Sequence, residues 1–256
     1  MRWRKSSRRY FLRQALTGAG AALLAGCDAL SNSSWFPKVL NIGEHLSSAA
    51  QHLVTSRRSM AQEFTEADLS PQFRSNGTAN PEDGEYQALA VRGFQDWKLL
   101  VDGLVQDPAE FTLAQLRAMP SRTQITRHDC VEGWSAIGKW TGVQLSHMLA
   151  LVRLQPEARY VVFYCADPMW GTAEKYYESI DLEDALHPQT ILAYELNDEV
   201  LPIKNGAPLR VRIERQLGYK MAKYIMRIEA VKNFAGIRGG KGGYWEDRGY
   251  EWFAGI

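Results

Sequence analysis

Arg127-His128-Asp129-Cys130-Val131-Glu132-Gly133-Trp134-Ser135 decides the reading of this 256-residue chain. Thr123, Ile125 and Arg127 alternate on the approach to it, which predicts a short strand. Glu132-Gly133 then breaks any regular pattern and predicts a tight loop. A single cysteine therefore stands at a strand end with Arg127 and His128 beside it. Neighbouring cations favour the thiolate, the form that attacks electrophiles or binds metal. Three readings are open at this point. Cys130 is a buried structural cysteine, the ordinary condition of a lone thiol. Or it is a nucleophile with His128 as base, the two sharing one face of the strand. Or it is the single protein ligand of a metal carried by a bound cofactor.

Composition sets outer bounds. Hydrophobic residues make up 45% of the chain and eight are tryptophans, enough for a substantial core in one large domain or two small ones. The formal charge of +1 hides an asymmetry. Arg2, Arg4, Lys5, Arg8, Arg9 and Arg13 crowd the first 13 residues with no acid among them. Removing those six from the 30 basic residues leaves 24 against 29 acids, a net of −5. That balance gives no footprint for nucleic acid.

The basic start reads as a targeting segment over residues 1–27. Ser7-Arg8-Arg9-Tyr10-Phe11-Leu12 resembles the twin-arginine export signature. Ala15 to Leu24 is a weakly apolar run too short for a membrane-spanning helix. Leu24-Ala25-Gly26-Cys27 reads as a bacterial lipobox, with Cys27 lipidated and anchoring the protein to a membrane; ordinary cleavage that discards Cys27 is the alternative. The expected location is the bacterial periplasm. Twin-arginine export carries folded proteins, which accords with a cofactor inserted beforehand. In an oxidising compartment Cys130 and Cys165 could pair, although two separate roles are the preferred reading.

Residues 28–69 read as a tether, rich in Ser31, Asn32, Ser33 and Ser34, followed by a helix-compatible stretch over 42–64. There Leu46, Ala49, Ala50 and Leu53 keep helical spacing, and His45 and His52 read as surface residues. Residues 70–256 turn globular. Trp97 to Val105 reads as strand, Asp102-Gly103 turn and strand. Thr112 caps a helix from Leu113 to Met119, closed by Pro120. Leu145, Met148, Leu149 and Val152 mark an amphipathic helix. Tyr160 to Cys165 reads as a buried strand, Asp181 to Leu186 as a helical turn, and Glu195 to Pro202 as a hairpin bent at Asn197-Asp198. Met226, Ile228 and Ala230 predict one more half-buried strand.

Two further stretches carry polar chemistry. Phe73-Arg74-Ser75-Asn76-Gly77 precedes a Pro/Asp/Gly-rich loop and, by itself, reads as a turn. Asn205-Gly206-Ala207-Pro208-Leu209-Arg210 followed by Gly218-Tyr219-Lys220 has the makings of an anion site. Gly218 permits close backbone approach. Arg210 offers a planar fork and Lys220 a point charge. The plain alternative is a basic strand pair with solvated ends.

The run from Arg127 to Ser135, with Lys139-Trp140-Thr141-Gly142 after it, resembles the molybdenum-binding segment of the sulfite oxidase superfamily. The likeness covers about residues 70 to 235 and is strongest to its bacterial molybdopterin-dependent oxidoreductases, a branch that includes periplasmic methionine sulfoxide reductases. The resemblance implies an α+β fold of mixed sheets with flanking helices. It implies molybdenum held by one molybdopterin dithiolene and by the Cys130 thiolate, soft sulfur ligands that suit such a metal. In the family an Asn/His-x4-Arg followed by Gly-x-Lys binds the pterin and its phosphate, which implicates Asn205, Arg210, Gly218, Tyr219 and Lys220. A Phe-x-x-Asn segment lines the pterin and implicates Phe73, Arg74 and Asn76. Cys165 falls where relatives carry Thr, Ser or Asp near the pterin; a thiol is the weaker donor. Asp167-Pro168-Met169-Trp170-Gly171 could border a substrate funnel. Arg127 or His128 could orient the substrate, and Glu132 and Trp134 could support the ligand loop.

The chemistry implied is oxygen-atom transfer on a small-molecule substrate, as sulfite-type oxidation or sulfoxide-type reduction. No haem-attachment Cys-x-x-Cys-His and no Gly-x-Gly-x-x-Gly fingerprint occurs in the sequence, so a separate electron partner, a cytochrome or membrane haem protein, is expected. Two other classes compete. A cysteine-nucleophile hydrolase needs a base and an orienting acid around Cys130. A cofactor-free periplasmic binding module keeps the fold without the metal.

Overall fold

In the computed structural model the described residues are Trp35 and 59–256 other than Trp170. The expected export signal, Cys27, the tether and the helix-compatible residues 42–58 lie outside them. Among the described residues no helix is long and apolar enough to cross a membrane. Residues 57–256 form one compact unit. Residues 59–64 are not helical; Glu63 bridges Thr126 and the Phe64 amide donates to the Ile125 carbonyl at 2.8 Å.

Two sheets carry the fold. The first orders as β2 (Ala109–Thr112), β1 (Lys98–Gly103), β10 (Ile225–Val231), β5 (Tyr160–Pro168) and β6 (Lys175–Asp181). Its β1–β10 pair is parallel and the rest antiparallel. The second sheet orders as β3 (Ser121–Cys130), β4 (Trp134–Gln144), β7 (Ile191–Leu196) and β8 (Glu199–Val200), with β9 (Arg210–Arg212) also on β7. Helices α1 (Gly84–Val91), α2 (Leu113–Ala118), α3 (Leu145–Val152) and α4 (Leu182–Ala185) are short. The expected α+β class with mixed sheets and flanking helices is what the chain adopts.

Local rules account for most elements. Thr112 caps α2 by accepting from the Gln115 amide, and Gln115 reaches back to the Thr112 amide. In α3 the four residues at helical spacing, Leu145, Met148, Leu149 and Val152, are all buried. Each such side chain contributes roughly 1.5–3 kcal/mol. Asn197 and Asp198 take positive φ of 55° and 63°, the geometry a tight two-residue hairpin between β7 and β8 requires. The Asp102-Gly103 turn is a misreading: both residues pair with β10, and β1 ends only at Gly103.

The main core draws on both sheets and on α3, with Leu99, Phe163 and Ile228 from the first sheet and Val143, Leu192 and Val211 from the second. Successive side chains on a strand face opposite ways, so Ile191 and Ala193 look away from that core. They join Phe73, Ala136 and Trp140 in a smaller cluster on the far face of the second sheet.

Candidate active site

Cys130 is the last residue of β3 and pairs across the hairpin with Trp134. The intervening turn closes with the Gly133 amide donating to the Cys130 carbonyl at 3.0 Å. Strand parity decides what accompanies the cysteine. Gln124, Thr126, His128 and Cys130 are buried on one face. Arg127 is on the other face, exposed, with Nε 2.9 Å from Asp129 Oδ2. It borders a separate depression with Thr126, Glu214 and Ile256, so Arg127 does not reach the Cys130 cleft.

His128 is fully buried, and its Nδ1 accepts from Arg212 Nη1 at 2.9 Å. Burial, then Arg212, Arg210 and Lys223, hold it well below the usual imidazole range, so it is neutral. Gly218 covers it: a Cβ there would lie 2.4 Å from His128 Nε2. The Cys130 thiol is itself pushed up, by burial first and by the Glu132 charge, against a lowering backbone hydrogen bond at Glu132 and the Arg74 charge. The expected stabilisation of thiolate by Arg127 and His128 is therefore not realised. A coordinated metal would deprotonate the thiol outright.

Cys130, Val131 and Glu132 form one wall of a cleft of about 810 Å³, counting its open mouth. Asn76, Gly77 and Thr78 form a second wall, and Asp167 and Met169 a third. Tyr219, Met221 and Lys223 floor it, and Trp245 and Tyr250 come from the tail. Glu132 Oε2 accepts from Trp134 Nε1 at 3.0 Å, bracing the Cys130 turn. Arg74 lies over the Trp134 ring at 5.2 Å, and Phe73 packs edge-on against Trp140 at 4.9 Å. Of the Phe73, Arg74 and Asn76 trio, only Asn76 lines the cleft.

The anion-binding expectation needs redistribution. Arg210 is fully buried and has no acid within ion-pair distance among the described residues. Its Nη1 donates to the Asn205 carbonyl at 3.0 Å and its plane lies 5.0 Å from the Trp140 ring. Burial, then Arg212, lower it to about 9. Arg212, by contrast, is neutralised by Glu214 through two contacts at 2.6 and 3.0 Å. Lys220 is also spoken for. Its Nζ sits 2.5 Å from Glu178 Oε1 and 2.6 Å from Glu246 Oε1, fully buried. Lys220 therefore offers no free charge to a phosphate, although Gly218 and Tyr219 of the same turn do line the cleft.

Lys223, three residues further on, is the cation that faces the cleft. Its Nζ donates to the carbonyls of Asn76 at 2.6 Å and Thr78 at 2.5 Å. Burial, then Arg210, lower it to about 7. Among the described residues neither Arg210 nor Lys223 has a carboxylate within ion-pair distance, although the Asp167 charge raises Lys223, and such a pair suits an anionic group such as a phosphate. Asn76 Oδ1, Asn205 Nδ2 and Arg210 Nε are buried without a hydrogen-bond partner, as expected of groups that serve a polar cofactor. The residues present thus fit a phosphorylated pterin.

Cys165 does not join them. It is buried in β5 beside Ile225, its thiol raised well above the usual range by burial, and both described cysteines are free. In that segment Asp167 and Met169 reach the cleft instead, which accords with the expected funnel border; Trp170 lies outside the described residues. Reading by motif missed Lys223, Met221, Trp245 and Tyr250. The one available signal was the second lysine after Gly218.

A strand-end cysteine in a cleft that Lys223 lines, with Arg210 buried behind it, fits the site of a molybdopterin-type oxidoreductase. The chain belongs to that class: residues 87–235 match the family model of the oxidoreductase molybdopterin binding domain. It is an enzyme of that family, and its cofactor is molybdenum bound to molybdopterin. It is 38% identical over 249 residues to a protein of Azospira oryzae provisionally named protein-methionine-sulfoxide reductase subunit YedZ1, covering 97% of this chain and 88% of that one. It is 38% identical over 177 residues to the protein-methionine-sulfoxide reductase catalytic subunit MsrP of Ralstonia nicotianae, covering 66% of this chain and only 53% of that protein. The sulfane dehydrogenase SoxCD of Paracoccus pantotrophus shares the fold, with a TM-score of 0.50 at 24% identity over 54% of this chain and 39% of that one.

Proposed function

We propose that this chain is the catalytic subunit of an exported enzyme that reduces methionine sulfoxide side chains, with Cys130 as the protein ligand of molybdenum. The observation that carries the reading is one cleft joining the Cys130 thiol to Lys223, with Arg210 behind it. When bound, the cofactor supplies two-electron oxygen-atom transfer at the metal. The chain holds and orients. Arg210 and Lys223 bind the pterin phosphate, Asn76 and Asn205 its polar edge, and Cys130 the metal. Met169, Tyr176, Trp245 and Tyr250 give the cleft an apolar wall suited to a thioether, since sulfur packs favourably at aromatic edges. The relatives' names supply the substrate class.

The electron partner is a separate redox protein, a cytochrome or membrane haem protein. Ser7 to Leu12 directs twin-arginine export to the periplasm and Cys27 carries a lipid anchor. The hydrolase alternative is disfavoured by a neutral His128 committed to Arg212 and by a thiol raised by burial. The deciding experiment pairs metal analysis with a dye-linked assay. Purified native protein is expected to hold near-equimolar molybdenum and pterin and to oxidise a reduced viologen with methionine sulfoxide. Metal-free protein, or loaded protein inert toward sulfoxides, would refute the proposal.

A further inference from the structure

Behind the cleft floor lies a second charged cluster that cofactor binding does not use. Lys220 Nζ bridges Glu178 and Glu246, and all three side chains are no more than 1% exposed. Glu178 comes from β6, Lys220 from the 3-10 turn Gly218–Lys220, and Glu246 from the 3-10 turn Glu246–Arg248. One ammonium against two carboxylates leaves a net charge of −1 sealed from water. A buried uncompensated charge costs several kcal/mol, and such a group takes up a proton instead. Burial pushes Glu178 well above the usual carboxyl range, with Glu246 adding to it and Lys220 opposing. Glu246 Oε2 is buried with no hydrogen-bond partner.

The enclosure is built for this pair. A Cβ at Gly243 would lie 1.9 Å from Glu246 Oε2 and 2.8 Å from Glu178 Oε1, so bare backbone caps both acids. The other titratable neighbours are Cys165 on β5, Tyr176 and Tyr177 on β6, and Tyr219 beside Lys220; none adds a positive charge. One of them opens the cluster to the cleft. Tyr176 lines the cleft, with its hydroxyl 3.3 Å from Glu178 Oε2 and 2.6 Å from the Tyr219 carbonyl.

We propose that Glu178, Lys220 and Glu246 form a proton reservoir and that the Tyr176 hydroxyl passes its proton into the cleft. The need for it rests on the sulfoxide reading above. Reducing a sulfoxide breaks the S–O bond, consumes two electrons and two protons, and releases a thioether and water. The electrons come from the external redox partner. Tyr176 gives its proton to the departing oxygen as it accepts one from Glu178. Glu178 is left as a carboxylate against Lys220 and is reprotonated between turnovers from cleft water by the reverse relay through Tyr176. The second proton enters through the open mouth of the cleft. Glu246 lies past residue 235, where the match to the family model ends, so the reservoir is completed from the tail.

Two measurements on the holoenzyme test the proposal, the first of them without any sulfoxide. Infrared spectra at pH 7 should show a protonated-carboxyl band component that disappears in both Glu178→Gln and Glu246→Gln. Each variant leaves one balanced lysine–glutamate pair, so folding is retained. Asp167, pushed up to about 7 by burial, contributes a component that both variants keep. Proton uptake on mixing viologen-reduced holoenzyme with methionine sulfoxide, followed with a pH indicator, should slow roughly tenfold or more in Tyr176→Phe at equal molybdenum content. Loss of the band in neither glutamine variant, or unchanged uptake in Tyr176→Phe, would overturn the proposal. Failure of the sulfoxide reading itself registers separately, in the dye-linked assay.

Discussion

Arg212 donates to Nδ1 of His128 at 2.9 Å, with both side chains fully buried. The contact leaves the imidazole proton on Nε2 and ties the ring to the Arg212–Glu214 pair. His128 is therefore a strut behind the cysteine strand. His128→Phe should leave a buried guanidinium N–H unpaired and cost about 1–3 kcal/mol. Turnover per bound molybdenum should change only a few-fold, whereas loss of a base costs about 10²–10⁴. Urea titration and metal-normalised rates check the two halves. A collapse in normalised rate would reinstate His128 as a catalytic group.

Lys220 and Lys223 should separate cleanly. In the proposed role Lys223→Ala would remove a charge-assisted contact to the pterin phosphate, on the order of 1.5–3 kcal/mol, and should lower pterin content with modest loss of stability. Lys220→Met strands two buried carboxylates and should cost about 3–5 kcal/mol of stability. Pterin fluorescence after release, read beside denaturation curves, distinguishes them. The reverse pattern would return the phosphate contact to Lys220.

Arg210 presents a fork against Trp140, and lysine cannot reproduce a planar fork. Arg210→Lys should therefore lose pterin nearly as fully as Arg210→Ala. Full occupancy in the lysine variant would show that charge alone is read there.

Asp83 caps α1 by accepting from the Tyr86 amide at 3.0 Å, and it pairs with Lys175 at 2.7 Å. Burial raises its carboxyl, but the Lys175 and Tyr86 contacts prevail and hold it below the usual carboxylate range. A depressed carboxyl contributes stability above its unfolded value, and that contribution is lost as pH falls through the folded value. Asp83→Ala should thus cost about 1 kcal/mol at pH 7 and progressively less below pH 4. An equal loss at both pH values would mean that the cap does not depend on ionisation.

Cys130→Ser should abolish turnover while pterin stays largely bound, because Arg210 and Lys223 remain. The paramagnetic resonance signal of Mo(V) should shift, since a hydroxyl is a poorer match than a thiolate for a metal that favours soft ligands. An identical signal in wild type and variant would exclude Cys130 from the metal.

The local grammar of the chain settled most element positions, whereas the class of fold and the choice of Cys130 as ligand came from the family resemblance carried by Arg127 to Ser135. Period-two alternation identified β3, helical spacing identified α3, and capping chemistry started α2, because each rule couples residues a few positions apart. Strand parity, read strictly, also separates Arg127 from Cys130. The division of labour among cations was a tertiary matter. Lys220 and Lys223 lie three residues apart on one segment. Only the arrival of Glu178 from β6 and Glu246 from the tail neutralises one and leaves the other to the cleft. Arg210 and Arg212 divide in the same way, because Glu214 pairs with Arg212 and, among the described residues, no acid comes within ion-pair distance of Arg210. Charge compensation acts over a few ångströms of space between residues dozens of positions apart. The sequence by itself therefore determined which groups were present, and the fold decided which of them remained free to bind.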